Sequence, residues 1–304
     1  MDRKTAIEQY DRAASLLPPR LRKAALSLPE ETRCRAEEFR LRAGRPMSIL
    51  LDGREAPSAC VVQTEDLEAL CNLATEFSRY AASETLRSGF LPIRGGGRIG
   101  LCGTAVVKGG IITNLKDFSS AAIRIARPCP GIAEALLPQL LEAGTVPSVL
   151  ILSPPGGGKT TLLRDLIRCL SDGSASFPGQ RVALVDERSE VAVCYRGEPQ
   201  MDVGARTDVL DGCPKALGIS LVLRTMNPQI IAVDEVTVRE DLTAILMAAN
   251  CGVKLLATIH AADREELKRK PLYVRLLAAG IFEKAICIQT ASGVRSYSVE
   301  ALHD

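Results

Sequence analysis

Apolar residues change their rhythm several times along the chain, and each change marks an element. In the first 33 residues Leu16, Leu17, Leu21, Ala24 and Leu26 recur among polar neighbours, interrupted by Pro18-Pro19. This predicts polar helices with a face for packing on the domain behind. Around Gly44-Arg45-Pro46 the period shortens to two: Phe39 and Leu41 precede the turn and Met47, Ile49 and Leu51 follow it, as in a hairpin. Residues 64–87 read as helix. From Gly89 to Arg127, glycines interrupt the apolar positions at Gly95-Gly-Gly-Arg98-Ile-Gly100 and Lys108-Gly-Gly110, which predicts short strands and tight turns. Arg127-Pro-Cys-Pro-Gly131 can neither extend a helix nor enter a central strand, and is read as a linker.

Beyond it, strand-like and helix-like runs alternate: Ser148 to Leu152, a helix from Lys159 to Ser171, Val182 to Val185, Ile230 to Val233 and Leu255 to Ile259. That alternation is the pattern of a doubly wound α/β sheet. In the helix, Leu162, Leu163, Leu166, Ile167 and Leu170 share one face while Arg164, Asp165 and Arg168 lie elsewhere, so one face is expected to pack on the sheet.

Composition narrows the function. A chain of 304 residues is long enough for roughly two domains. A net charge of +2, no Trp and only 4% aromatic residues leave little for a nucleic-acid surface, so no nucleic-acid partner is expected. Ten cysteines without a C-x-x-C pair fit free thiols in a reducing compartment, and cytoplasmic localisation is the expectation. The first ten residues carry no apolar core like that of a signal peptide, and no apolar run approaches ~18 residues. Membrane association is therefore expected to be peripheral, through partners.

The chemistry concentrates at Ser153-Pro154-Pro155-Gly156-Gly157-Gly158-Lys159-Thr160-Thr161, placed between a strand and an amphipathic helix as a P-loop requires. The glycines let backbone N–H groups curl around phosphate oxygens at the positive end of the helix dipole. Lys159 is expected to bridge the β- and γ-phosphates of ATP, Thr160 to hold Mg²⁺, and Thr161 to reach the α-phosphate. Ser153 departs from G-x-x-x-x-G-K-[ST], which has glycine there. Ile230-Ile-Ala-Val-Asp234-Glu235 is an apolar strand ending in two carboxylates, a Walker B pattern in which Asp234 would hold Mg²⁺ through water and Glu235 could activate the attacking water. Val182-Ala-Leu-Val-Asp186-Glu187 repeats the arrangement, so Glu187 competes for that role. The strand Leu255–Ile259 brings His260 toward the same end as a candidate sensor, against the ordinary alternative of a buried histidine satisfied by a carbonyl.

At these residues, and at Glu37–Pro46, Arg94–Gly100, Ser119–Arg127, Val185–Glu190 and Gly204–Lys215, the sequence resembles the stage III sporulation protein AA family, relatives of the type II and type IV secretion ATPases. The resemblance covers most of the chain. It implies a RecA-like P-loop ATPase domain over residues 128–304 preceded by a smaller α+β N-terminal domain over 1–127. It also implies a cytoplasmic ATPase on the mother-cell side, a homo-oligomer built as a hexamer ring, and membrane-embedded partners of the stage III AB to AH type. In such rings arginines of an adjacent subunit commonly act on the phosphates, and Arg98, Arg124, Arg127 and Arg206 are the candidates. The four-cysteine zinc insertion of some secretion ATPases is missing. Two rival readings stand beside the motor: a nucleotide-binding scaffold or switch with little turnover, and a nucleic-acid-stimulated ATPase.

Overall fold

The computed structural model describes residues 3–75, 89–127, 129–141, 145–291 and 294–302. The chain divides into two units: Met1–Pro128 with Val193–Gln200, and Cys129–Ala192 with Met201–Asp304. The segment 193–200, far along the sequence, thus counts with the first unit.

In the first unit the proline pair separates two helices rather than kinking one. α1 is Arg3–Ser15, α2 is Pro19–Leu26 and α3 is Glu30–Arg35. Pro19 opens α2, where a missing N–H costs nothing. Leu17 and Leu21 are fully buried, whereas Leu26, expected on the packing face, is exposed because it closes the last turn of α2. Tyr10 of α1 lies 5.1 Å from the ring of Phe39 and donates its hydroxyl to the Ala25 carbonyl at 2.8 Å, so its polar tip is satisfied inside the core.

Strands β1 (Ala36–Arg42), β2 (Pro46–Leu51), β3 (Arg54–Val61), β4 (Phe90–Ile93), β5 (Gly97–Lys108) and β6 (Ile111–Arg124) form an antiparallel sheet in the order β3-β2-β1-β6-β5-β4. The expected hairpin is β1–β2, with Phe39 opposite Ile49. Asp52-Gly53 joins β2 to β3 with positive φ at both residues, the twist a two-residue hairpin turn needs. α4 covers Thr64–Ala74, and the rest of the helix expected to residue 87 lies outside the described residues, as does Pro128 of the linker. Leu67 and Leu70 of α4 join Phe39, Leu41, Met47, Ile99 and Ile123 in one core. The glycine-rich stretch differs from expectation. β5 and β6 are long strands of 12 and 14 residues, paired across the Gly109-Gly110 turn, and register shifts at Cys102/Thr104 and Val106/Val107 absorb the irregularity.

The second unit holds, in chain order, α5 (Leu137–Leu140), β7 (Val149–Ser153), α6 (Lys159–Asp172), β8 (Gly173–Ser174), β9 (Phe177–Pro178), β10 (Val182–Asp186), β11 (Thr207–Asp211), α7 (Lys215–Thr225), β12 (Ile230–Val233), α8 (Arg239–Asn250), β13 (Lys254–His260), α9 (Arg264–Leu267), α10 (Pro271–Ala278), β14 (Lys284–Ala291) and β15 (Val294–Ala301). Its main sheet runs β11-β10-β12-β13-β7-β14-β15, parallel except for the antiparallel edge pair β14–β15. β7, β10 and β12 are buried at every residue, as central parallel strands covered on both faces must be.

Alternation along these strands divides two faces. Leu150, Leu152, Ala183, Val185, Ile231, Val233, Leu255 and Ala257 pack with Ile219 of α7, Ile245 of α8 and Leu276 of α10. The opposite positions, including Ser153, Asp186, Thr258 and His260, belong to the other face. α6 is buried on more than the one expected side: Asp165 is buried too, accepting from the Ala133 amide at 2.7 Å and from Arg168 Nε at 2.8 Å. Asp165 and Arg168 thus form a pair against the fold rather than a solvated face.

Candidate nucleotide site

The carboxyl ends of β7, β10, β12 and β13 meet at one rim of the parallel sheet, where open α/β sheets bind ligands. β7 ends at Ser153 and α6 starts at Lys159, so Pro154–Gly158 is the turn between them. Gly156 and Gly158 take φ of 75° and 99°, a region that suits glycine. Ser153 needs no such freedom. It is the last strand residue, fully buried opposite His260, and its hydroxyl donates to the Pro154 carbonyl at 3.0 Å. A Cβ on Gly157 would fall 1.6 Å from Ser153 Oγ, so the serine occupies the room that glycine 157 leaves. Gly157→Ala is therefore expected to lower stability by about 1–3 kcal/mol, the usual cost of overpacking. Ser153→Gly in the same chain should return much of the loss, read as the shift in Tm of the double variant against the single one.

Lys159 is buried and donates to the carbonyls of Ser153 and Pro154, both at 3.1 Å, and to His260 Nδ1 at 3.0 Å. An ammonium can only donate, so Nδ1 is the acceptor and Nε2–H donates to Glu235 Oε1 at 2.8 Å. A continuous chain thus runs Lys159–His260–Glu235. Burial pushes the Lys159 pKa down, opposed by the charges of Glu235 and Asp234. Beside it, Thr160 Oγ1 donates to Asp234 Oδ2 at 2.6 Å, and Thr258 Oγ1 donates to Asp234 Oδ1. Thr258 also accepts from the Glu235 amide at 2.8 Å, while the Val236 amide bonds the Thr258 carbonyl at 3.0 Å. Glu235 adopts a left-handed backbone at φ 53°, uncommon for a residue with a side chain and stabilised by these bonds.

Asp186 and Glu187 behave differently from each other. Asp186 is buried and accepts the amides of Glu190, Val191 and Ala192 at 2.8–2.9 Å. Burial pushes its pKa up and those amides pull it back. Glu187 turns to Lys215. Arg188 Nη1 donates to Glu235 Oε2 at 2.8 Å. Arg164 of α6, which the helical pattern gave no reason to single out, donates to the carbonyls of Val191 and Glu190 at 2.5 and 2.7 Å and so ties the helix of the phosphate loop to the Asp186 loop.

The remaining candidates divide between the loop with its helix and other elements. Thr161 is half-buried in the first turn of α6, and Pro154, Pro155 and Gly156 are exposed on the loop. Arg98 and Arg124 stand in register on β5 and β6 of the first unit, Arg98 over the Phe90 ring at 4.8 Å and Arg124 beside Glu38 at 3.5 Å. Arg127 donates to the carbonyls of Arg35 and Ala36, and Arg206 to those of Ser171 and Asp172, which gives both a role in the fold.

The donor set suits a nucleotide with Mg²⁺. Thr160 and Asp234 bring two hard oxygens together, the number this ion takes from protein when phosphates and water supply the rest. Among the described residues no cluster of three or more His, Cys, Asp or Glu suggests an all-protein metal cage. No helix among them is long and apolar enough to cross a membrane.

Comparison with known proteins places this geometry. The sequence model of the family described as "Sporulation stage III, protein AA" matches residues 7–298. The chain belongs to that family. It is 38% identical over 280 residues to the stage III sporulation protein AA of Bacillus subtilis, a match covering 92% of this chain and 91% of that one. Among solved structures it is similar to the ATPase DotB of Legionella pneumophila, at a TM-score of 0.58 and 20% identity, covering 87% of this chain and 76% of that one. It is also similar to the pilus retraction motor PilT, at 0.60 and 16%, covering 88% and 79%. The chain thus shares the fold of these two proteins, a RecA-like P-loop domain together with a smaller α+β domain.

Proposed function

We propose that this chain is an ATP-hydrolysing motor of the secretion-ATPase type, energising an assembly at the membranes between mother cell and forespore. The observation that carries the reading is the 2.6 Å hydrogen bond between Thr160 and Asp234, which joins the phosphate loop to the end of β12. The fold is shared with a protein described as an ATPase and with a retraction motor described with bound ADP, which supports a nucleotide as the ligand.

In this reading the amides of Gly156–Thr160 and the N-terminus of α6 hold the β- and γ-phosphates, with Lys159 supplying charge. Thr160 and Asp234 hold Mg²⁺, which neutralises charge on the phosphate oxygens when bound. Glu235 orients water and takes its proton as the bond to the γ-phosphorus forms and the bond to the β,γ-bridging oxygen breaks. His260, bonded to both Lys159 and Glu235, reports the state of the phosphate end to the carboxylate. Glu187 is the second candidate base, but its carboxylate faces Lys215. Arg98 and Arg124 are proposed to act on an adjacent subunit's phosphates in a hexameric ring, on the mother-cell side, beside membrane-embedded stage III partners.

A switch without turnover is the second reading, favoured by one observation: both oxygens of Glu235 are engaged, by His260 and by Arg188. Phosphate release by the purified, assembled chain in MgATP, measured together with particle mass and MgADP affinity, tests both. Steady release from a particle of six subunits is expected. Binding of MgADP without release would overturn the motor in favour of the switch.

A further inference from the structure

The C-terminal hairpin delivers a cation to the phosphate loop. β14 pairs with β7 as far as Cys287 opposite Leu152, and then continues to Ala291 beyond the end of that pairing. At about 3.3 Å per residue this overhang extends roughly 13 Å past the last paired residue of β7. The return strand β15 starts at Val294 and sets Arg295 opposite Thr290. A Cβ on Gly158 would meet Arg295 Cζ at 3.0 Å, Nη1 at 3.1 Å and Nε at 3.2 Å. The guanidinium therefore occupies the space that a side chain would take on the residue immediately before Lys159.

Its surroundings distinguish it from the other arginines near the loop. Arg188 has Glu235, and Arg164 has the carbonyls of Glu190 and Val191. Arg295 is exposed on an edge strand, and among the described residues no hydrogen bond or ion pair holds it. An arginine with no carboxylate partner among the described residues, beside a loop of backbone donors, raises the positive potential where an anion would settle. Its planar fork matches two phosphate oxygens.

We propose that Arg295 is a nucleotide-binding residue, contacting the phosphates held by the Pro154–Thr160 loop of its own chain. This rests on the reading of that loop as a nucleotide site and adds an arginine in cis to it.

The test is the affinity of the full-length chain for MgADP at low and high salt, in wild type, Arg295→Gln, Arg295→Lys and, as a control for the site, Lys159→Met. Arg295→Gln is expected to weaken MgADP about 10- to 100-fold, the size of a lost hydrogen bond to a charged group. Lysine should lie between, since it keeps the charge and loses the fork. The gap between wild type and glutamine should narrow as salt rises, and the Tm without nucleotide should stay constant. Glutamine binding MgADP like wild type while Lys159→Met has lost it would overturn the arginine's role and leave the site standing. A loss that ignores salt and follows a fall in unliganded Tm would overturn it as a structural effect. Wild type failing to bind MgADP would overturn the underlying reading instead.

Discussion

Lys159→Met is expected to remove nucleotide turnover, lowering kcat about 10²- to 10³-fold or more, while leaving the unliganded protein at least as stable as wild type. The two effects have opposite signs because the same burial produces both. The ammonium is enclosed by the carbonyls of Ser153 and Pro154 and by His260, and burial pushes its pKa down. A lysine whose folded pKa is depressed binds its proton less readily folded than unfolded. Its charge thus costs stability at every pH below the folded pKa, and that cost disappears as the pH rises to the unfolded value. Methionine keeps the length without the charge, so Tm at neutral pH should hold or rise. On the proposed reading, the loss of turnover follows from removing a cation that would meet the developing charge on phosphate, in the range of deleting one such preorganised donor. Phosphate release and thermal melting, run on the same preparation, check both halves. A variant that hydrolyses ATP normally would remove Lys159 from the site.

Glu235→Gln is expected to lower kcat by about 10²–10⁴, the range of a lost general base, with MgADP affinity close to wild type. Glutamine keeps one acceptor oxygen in place of two, so one of the bonds from Arg188 and His260 can persist at the end of β12 while no carboxylate is left to receive a proton. Glu187→Gln breaks the pair with Lys215 instead and should leave turnover near normal. Single-turnover phosphate release from prebound ATP separates the chemical step from binding. A large loss in Glu187→Gln with a small one in Glu235→Gln would exchange the two assignments.

The segments legible in the sequence are those whose physics is local. A phosphate loop needs its glycines, lysine and hydroxyl contiguous, and a buried parallel strand needs an unbroken apolar run, so Ser153–Thr161 and Ile230–Glu235 could be read directly. The six-residue hairpin strand Pro46–Leu51 is legible from another local signal, the alternation of Met47, Ile49 and Leu51 after a turn. What escaped depends on partners distant in the chain. β14 and β15 extend the sheet through pairing with β7, and the exposed, alternating β15 gives little apolar signal of its own. The glycines of β5 read as turns, but cross-strand pairing with β6 carries that strand through them. Arg164 and Asp165 looked like a polar helix face because helical spacing cannot show what covers the other side. The site of Arg295 is set by how far a hairpin overhangs, which no local motif records.

The assignment of residues 193–200 to the first unit bears on how the chain is made. Gln200 Oε1 accepts the Gly95 amide at 2.8 Å, a bond between residues synthesised far apart in time. Domains ordinarily fold as units with the N-terminal one first as the ribosome advances. Here the earlier unit lacks one of its pieces until β7, α6 and β10 have already emerged, so its maturation trails the birth of the phosphate loop. A gene fragment stopping at codon 128 would encode that unit without the Gln200 bond to Gly95, and a graft of the unit onto another protein would keep the bond by carrying the later octapeptide with it.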